Sequence, residues 1–201
     1  MTLTRLLPTL RRSIPDPIDP DLWPAATDPS ITDVEVGGVS LLRLAELCGT
    51  PAVHLGRAVV PGTGAGSGTR PATAVTGSTG VAVVCVLEAS VDQGGRTVTI
   101  DADLEPLDPA WAEARLIGRV SVARTTPTTI RAGASVRAAA SVGSAASGCL
   151  APRPVDLPAD LMAGDLLALP YAAVTDEAGV ARPASGWPTT LPESTQQIRT
   201  L

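Results

Sequence analysis

Lysine is absent from this 201-residue chain, and all fifteen of its basic residues are arginine. Schiff-base chemistry, with a carbonyl substrate or a pyridoxal cofactor, requires a lysine amine that this chain does not supply. Phenylalanine is absent as well, and Tyr171 is the only tyrosine. The apolar 44% is therefore built mainly from Ala, Val and Leu, which dictates a small-residue, β-branched core and argues against an aromatic cage. A single histidine, His54, excludes a multi-histidine metal site. Three cysteines, Cys48, Cys85 and Cys149, lack metal-ligand spacing and read as free thiols in a reducing compartment. The net charge of −5 comes with no basic cluster, so the electrostatic footprint of a nucleic-acid binder is missing. No uninterrupted apolar run approaches the roughly 20 residues that span a bilayer. The opening "MTLTRLLPTLRRSIP" lacks the apolar core of a secretory signal despite its Arg11–Arg12 pair, and a cytoplasmic protein is expected. The partners left are a small molecule or another protein chain.

At this length the chain buries about 70% of its unfolded surface, enough for one domain or slightly more. Residues 1–30 are proline-rich, so an extended leader with Trp23 as its anchor is expected. "ITDVEVGGV" reads as a strand and tight turn, and Ser40 then caps a helix over 40–48. Leu41, Leu44 and Leu47–Cys48 recur at helical spacing before Gly49 and Pro51 stop it. "GTGAGSGT", residues 62–69, has linker composition, and without a Lys or a following helix it is no phosphate-binding loop. Beyond it, "TGVAVVCVLEASV", "TVTID", "ARLIGRVSVA", "TTIRAGASVRAAASV", "GDLLALPYAAVTD" and "GVARP" read as strands separated by turns. That spacing predicts an all-β barrel or sandwich over 70–185, with residues 1–61 packing on it and 186–201 as a tail.

Three blocks in one order carry a family resemblance. The first is "LWP" at 22–24 with "VGGVSLLRLAELCGTP" at 36–51. The second is "GVAVVCVLEASVDQGGRTVTIDADL" at 80–104, and the third is "CLAPRPVDLPADLMAGDLLALPYAAV" at 149–174. Together they resemble the fold-type III pyridoxal-phosphate decarboxylases, diaminopimelate decarboxylase in particular. In that family the leader and the C-terminal segment form one β-domain, with the cofactor-binding (β/α)8 barrel inserted between them. Here the two are joined across 62–69, so the resemblance implies a truncated homologue that lacks the cofactor barrel and binds no pyridoxal phosphate. The missing lysine agrees independently.

Scaffold positions of the family pattern persist at Gly80, Gly118, Gly164, Asp165 and Leu167, whereas its chemistry is eroded. The cofactor-phosphate motif falls on Arg70–Thr73, where only Pro71 matches. The substrate-binding arginine and tyrosine positions fall on Asp108 and Ala112, and the cofactor-contacting tyrosine on Val174. In the family's Cys-Glu-Ser motif Cys149 matches, while Leu150 and Ala151 replace the other two.

Two residues stand out as candidates for chemistry. Cys149 is a candidate nucleophile, weighed against an inert small buried thiol. His54 is the one side chain whose ordinary pKa lies near neutrality, and it is a candidate acid–base group on the edge of the excision. The competing reading for His54 is a solvated loop histidine. The acidic run Asp101, Asp103, Glu105 and Asp108 matches no calcium-loop spacing and reads as a turn. The expected function is a pyridoxal-independent β-barrel protein that binds a small molecule or performs cofactor-free cyclase or isomerase chemistry, with no cofactor and no metal. The alternative is a non-catalytic partner of a full-length decarboxylase. A homodimer or such a heteromer would cover the face the cofactor barrel leaves open.

Overall fold

Proline spacing sets how the chain begins. The structure, a computed structural model, describes residues 3–57, 78–104, 107–133, 154–175 and 181–182. A single-turn helix α1 (Leu3–Leu6) is followed by a 3-10 turn (Pro8–Arg12) that starts on proline, a position where the missing N–H is no loss. Neither propagates, and the segment then runs irregularly to Trp23. The extended leader expected from the prolines thus holds brief helical turns as well.

Three short strands follow: β1 (Thr27–Pro29), β2 (Val34–Val36) and β3 (Val39–Ser40), which form an antiparallel sheet of their own. The Gly37–Gly38 pair turns β2 into β3 with positive φ at both residues, which glycine adopts without strain. Helix α2 (Leu41–Cys48) starts where the sequence predicts. The Ser40 hydroxyl accepts from the Arg43 N–H at 3.0 Å, and the Asp33 carboxylate accepts from the Leu42 N–H at 3.0 Å. Two otherwise orphaned N–H groups of the first turn are thereby satisfied. The buried face of α2 is Leu41 and Ala45, with Leu44 half-buried. Leu47 is 70% exposed, contrary to the spacing argument, because at 100° per residue it rotates off the face that Leu41 begins.

The main sheet has eight strands. They are β4 (Ala52–Arg57), β5 (Ser78–Asp92), β6 (Gly95–Ile100), β7 (Arg115–Ile117), β8 (Thr125–Ala132), β9 (Val155–Pro158), β10 (Leu166–Thr175) and β11 (Ala181–Arg182). Their order is β11-β10-β5-β6-β8-β9, with β4 also on β5 and β7 also on β10. The fold is all-β, a sheet curled into a nearly closed barrel. Long β5 makes this possible. Its first half pairs with β4 and β10, and a register shift between Val86 and Glu88 redirects its second half onto β6. β6 and β8 are parallel, so a crossover over 101–124 connects them.

Period-2 alternation explains why β5 reads as a nearly continuous apolar run. Ala82, Val84 and Val86 enter one core with Ile100, Ile130, Leu157, Leu167 and Leu169. Val81 and Val83 enter a second core with Trp23, Val34, Val36, Leu41, Ile117 and Ala168. Both faces are covered, so neither needs polar residues. Each fully buried Val or Leu contributes roughly 1.5–3 kcal/mol, so the leader's Trp23, Val34, Val36 and Leu41 form a core layer in their own right.

Departures from expectation have local causes. "ARLIGRVSVA" is strand only over Arg115–Ile117, because Gly118 adopts φ +88° and leaves the ladder. β4 and β9 carry no sequence pattern longer than a few residues and are set by pairing. The linker 62–69, Cys149 and the tail 186–201 lie outside the described residues.

Candidate functional site

Polar ties between the leader and the crossover define one cleft. Arg11, in the 3-10 turn, is buried, with its side chain 10% exposed. Its Nε lies 2.9 Å from Asp16 Oδ2, and its Nη1 donates to the Ala123 carbonyl at 3.1 Å. From the crossover, Glu113 Oε2 accepts the Trp23 Nε1–H at 3.1 Å and the Asp19 N–H at 3.0 Å. The Arg115 guanidinium donates to the main-chain carbonyl of Asp16. Prolines keep residues 15–20 from folding back on themselves, so these carbonyls and carboxylates remain available to the crossover.

Between leader and crossover lies a partly open cleft of about 180 Å³. Arg11, Asp16, Glu113, Arg115, Ser121 and Thr125 are among its lining residues, with Arg119 and Asp156 at its walls. Arg119 is fixed by a bidentate pair with buried Asp165, 2.6 Å from Nε to Oδ1 and 2.6 Å from Nη2 to Oδ2. The same guanidinium reaches Asp160, whose Oδ1 accepts from Ser121 Oγ. Hydrogen bonding to Asp165 holds Arg119 firmly cationic, above its ordinary range. Burial opposes ionisation of Asp160, but the Ser121 and Arg119 hydrogen bonds outweigh it and keep that carboxyl below its usual value. Burial acts with less opposition at Arg115, pushing its guanidinium down from the ordinary value despite Asp16 and Glu113 nearby.

The sequence-derived candidates lie elsewhere. His54 is on strand β4 opposite Val81, not in a solvated loop. It is half-buried, and burial lowers its pKa while a hydrogen bond with the Val36 backbone opposes the shift. It does not line the cleft. Cys149, the other candidate, lies outside the described residues, so no geometry joins the two. Cys85, half-buried on β5, has its thiol raised by burial first and by Asp101 second, the reverse of an activated nucleophile. Cys48 and Cys85 are free thiols. Among the described residues no group of three or more His, Cys, Asp or Glu is placed to hold a metal ion. No helix among them is long and apolar enough to cross a membrane. Asp101 instead accepts the Cys85 N–H at 2.9 Å, a structural role.

The cleft arginines had no local signal. Arg115 meets its leader acceptor across 99 residues, and only the folded leader puts Arg11 beside Asp16 and Ala123. Arg11 belongs to the Arg11–Arg12 pair that bears on targeting in the sequence, yet its chemistry is that of a buried anchor.

No family model matches this chain, and no curated protein matches it by sequence. Among solved structures it is weakly similar to diaminopimelate decarboxylase from Helicobacter pylori complexed with L-lysine. That similarity has a TM-score of 0.30 and 18% identity, over 45% of this chain and 20% of that one. A point mutant of the same enzyme, also complexed with L-lysine, gives a TM-score of 0.29 and 17% identity over the same shares. The matched part spans about a fifth of those chains.

Proposed function

We propose that this protein is a β-barrel domain that binds a small molecule in the cleft between its leader and its crossover, without pyridoxal chemistry. The observation that carries the reading is the cleft itself: a concave site of about 180 Å³ whose polar walls are held in place by part-buried hydrogen bonds. Ligand sites are concave and place a few convergent polar groups, which this cleft does with Arg115, Ser121 and Thr125. Its volume lies below the roughly 300–1,000 Å³ of sites for drug-sized ligands, so the ligand is small. The missing lysine favours cofactor-free use of the fold, and descent from a decarboxylase β-domain is the origin we propose for it.

Binding is proposed ahead of catalysis. His54 lies away from the cleft, and the carboxylate beside the cleft's Ser121 hydroxyl, Asp160, is held below its usual pKa by Ser121 and Arg119, which makes it a poor base. Cyclase or isomerase chemistry would rest on shape and orientation rather than on a covalent cofactor. Thermal-shift and NMR screening of the full chain against small polar molecules tests the reading. Saturable shifts at the backbone amides of Arg115, Ser121 and Thr125 are expected. Shifts confined to the β4 edge around His54 would relocate the site.

A further inference from the structure

The charges lining the cleft are unequally satisfied. Arg11 is engaged by Asp16 and by the Ala123 carbonyl, and Arg119 by Asp165 and Asp160. Arg115 differs. Its hydrogen bond goes to a neutral acceptor, the Asp16 carbonyl, and among the described residues no carboxylate forms an ion pair with it. A guanidinium carries five N–H donors in a planar fork, and none of those on Arg115 is sealed off without an acceptor among the described residues, so the ones not given to Asp16 stay open to the cleft. Glu113, the acid two residues away, already accepts from Trp23 and Asp19 through Oε2.

We infer that the cleft takes a small monocarboxylate, held by the Arg115 guanidinium; this rests on the small-molecule reading above. Planarity selects the headgroup, since the guanidinium fork matches a carboxylate in a two-point contact. Charge balance selects the monoanion. Arg11 and Arg119 already have carboxylate partners, which leaves one lining arginine, Arg115, to answer a single negative charge. Size selects a short molecule. Desolvation of Arg115 gives the same sign, because an anion beside it offsets the cost that burial places on its charge.

The test is an NMR titration of the full-length protein with acetate, inorganic phosphate, methylamine and urea, at constant ionic strength. It follows the Arg115 Nε–H and the backbone amides of 111–125. Acetate is expected to bind saturably in the millimolar range and to shift the Arg115 Nε–H. Arg115→Gln is expected to weaken acetate at least tenfold, and Arg115→Lys less, because the charge is kept and the fork lost. Arg131→Gln, on the exposed face of β8, is expected to leave binding unchanged. If Arg115→Gln does not fold, the wild-type Nε–H shift and the order of the four probes decide. Phosphate binding more tightly than acetate overturns the monocarboxylate assignment. Methylamine or urea binding in the cleft without acetate overturns the anion assignment and leaves the small-molecule reading standing. Acetate binding that leaves the Arg115 Nε–H unmoved overturns the role of Arg115. No saturable binding by any of the four probes overturns this inference, and a wider screen that also fails removes the small-molecule reading with it.

Discussion

Tyr171 on β10 lies over Gly80 on β5, its register partner, and its ring occupies the space a Cβ at Gly80 would need. The pairing explains the one glycine in a valine-rich strand, since only hydrogen fits beneath the ring. Gly80→Ala is expected to destabilise the protein by about 1–3 kcal/mol through overpacking, read as a lower urea midpoint. An unchanged midpoint would mean that the ring is not held there. The Tyr171 hydroxyl is buried with no hydrogen-bond partner among the described residues, and burial pushes its pKa up to about 12. Tyr171→Phe is therefore expected to be neutral or to stabilise by about 1 kcal/mol, although the chain has no phenylalanine of its own.

Trp23 is 1% exposed and joins the leader to the second core, while its indole N–H is held by Glu113. Trp23→Ala is expected to cost about 3–5 kcal/mol and Trp23→Phe distinctly less, because the ring volume is largely kept. Limited proteolysis should show the leader cut first in the alanine variant. Equal resistance in variant and wild type would show the leader to be fastened without its tryptophan.

Asp165 is 7% exposed and receives two hydrogen bonds from Arg119 and a third from the Met162 N–H. Asp165→Ala leaves a guanidinium facing a void, and a loss of about 3 kcal/mol is expected. Because Arg119 also holds Asp160 and borders the cleft, the same variant should broaden the amide signals of 119–125. A loss below about 1 kcal/mol would mean that Asp160 alone satisfies Arg119.

His54 gives the pH dependence a sign. Its folded pKa is lowered from the ordinary 6.5 by burial, so the unfolded chain binds the proton more readily. The stability that comes from keeping it neutral is complete above the ordinary value and is lost as pH falls through the lowered one. Between about pH 7.5 and about pH 5, His54→Gln should therefore lose less stability than the wild type. Parallel losses in denaturant titrations at the two pH values would contradict the burial of this ring.

The architecture was legible where periodicity was strong. Ser40 and Gly49 bound helix α2 as their residue types predict, the β5 and β6 runs announce themselves by β-branched density, and β10 does so by its apolar run. β9 escaped because "VDLP" is four residues long and becomes a strand only by pairing with β8. Leu47 misled because its spacing from Leu41 fits a run of apolar residues but not the rotation of one helical face. The cleft was not legible at all. Its tethers join residues about 90 to 110 positions apart, and the acceptors are often main-chain carbonyls, which every residue owns.

The parallel pair β6–β8 has a further consequence for change in this molecule. Two parallel neighbours cannot be joined by a tight turn, so the ladder forces a detour between them, and that detour carries Glu113, Arg115, Arg119 and Ser121. The charged side chains of the cleft thus sit on a stretch that contributes only Arg115–Ile117 to the pairing register. Substitutions over 118–124 can reshape the lining of the cleft while the strands of the barrel keep their partners, which makes that stretch the place to begin altering the proposed site.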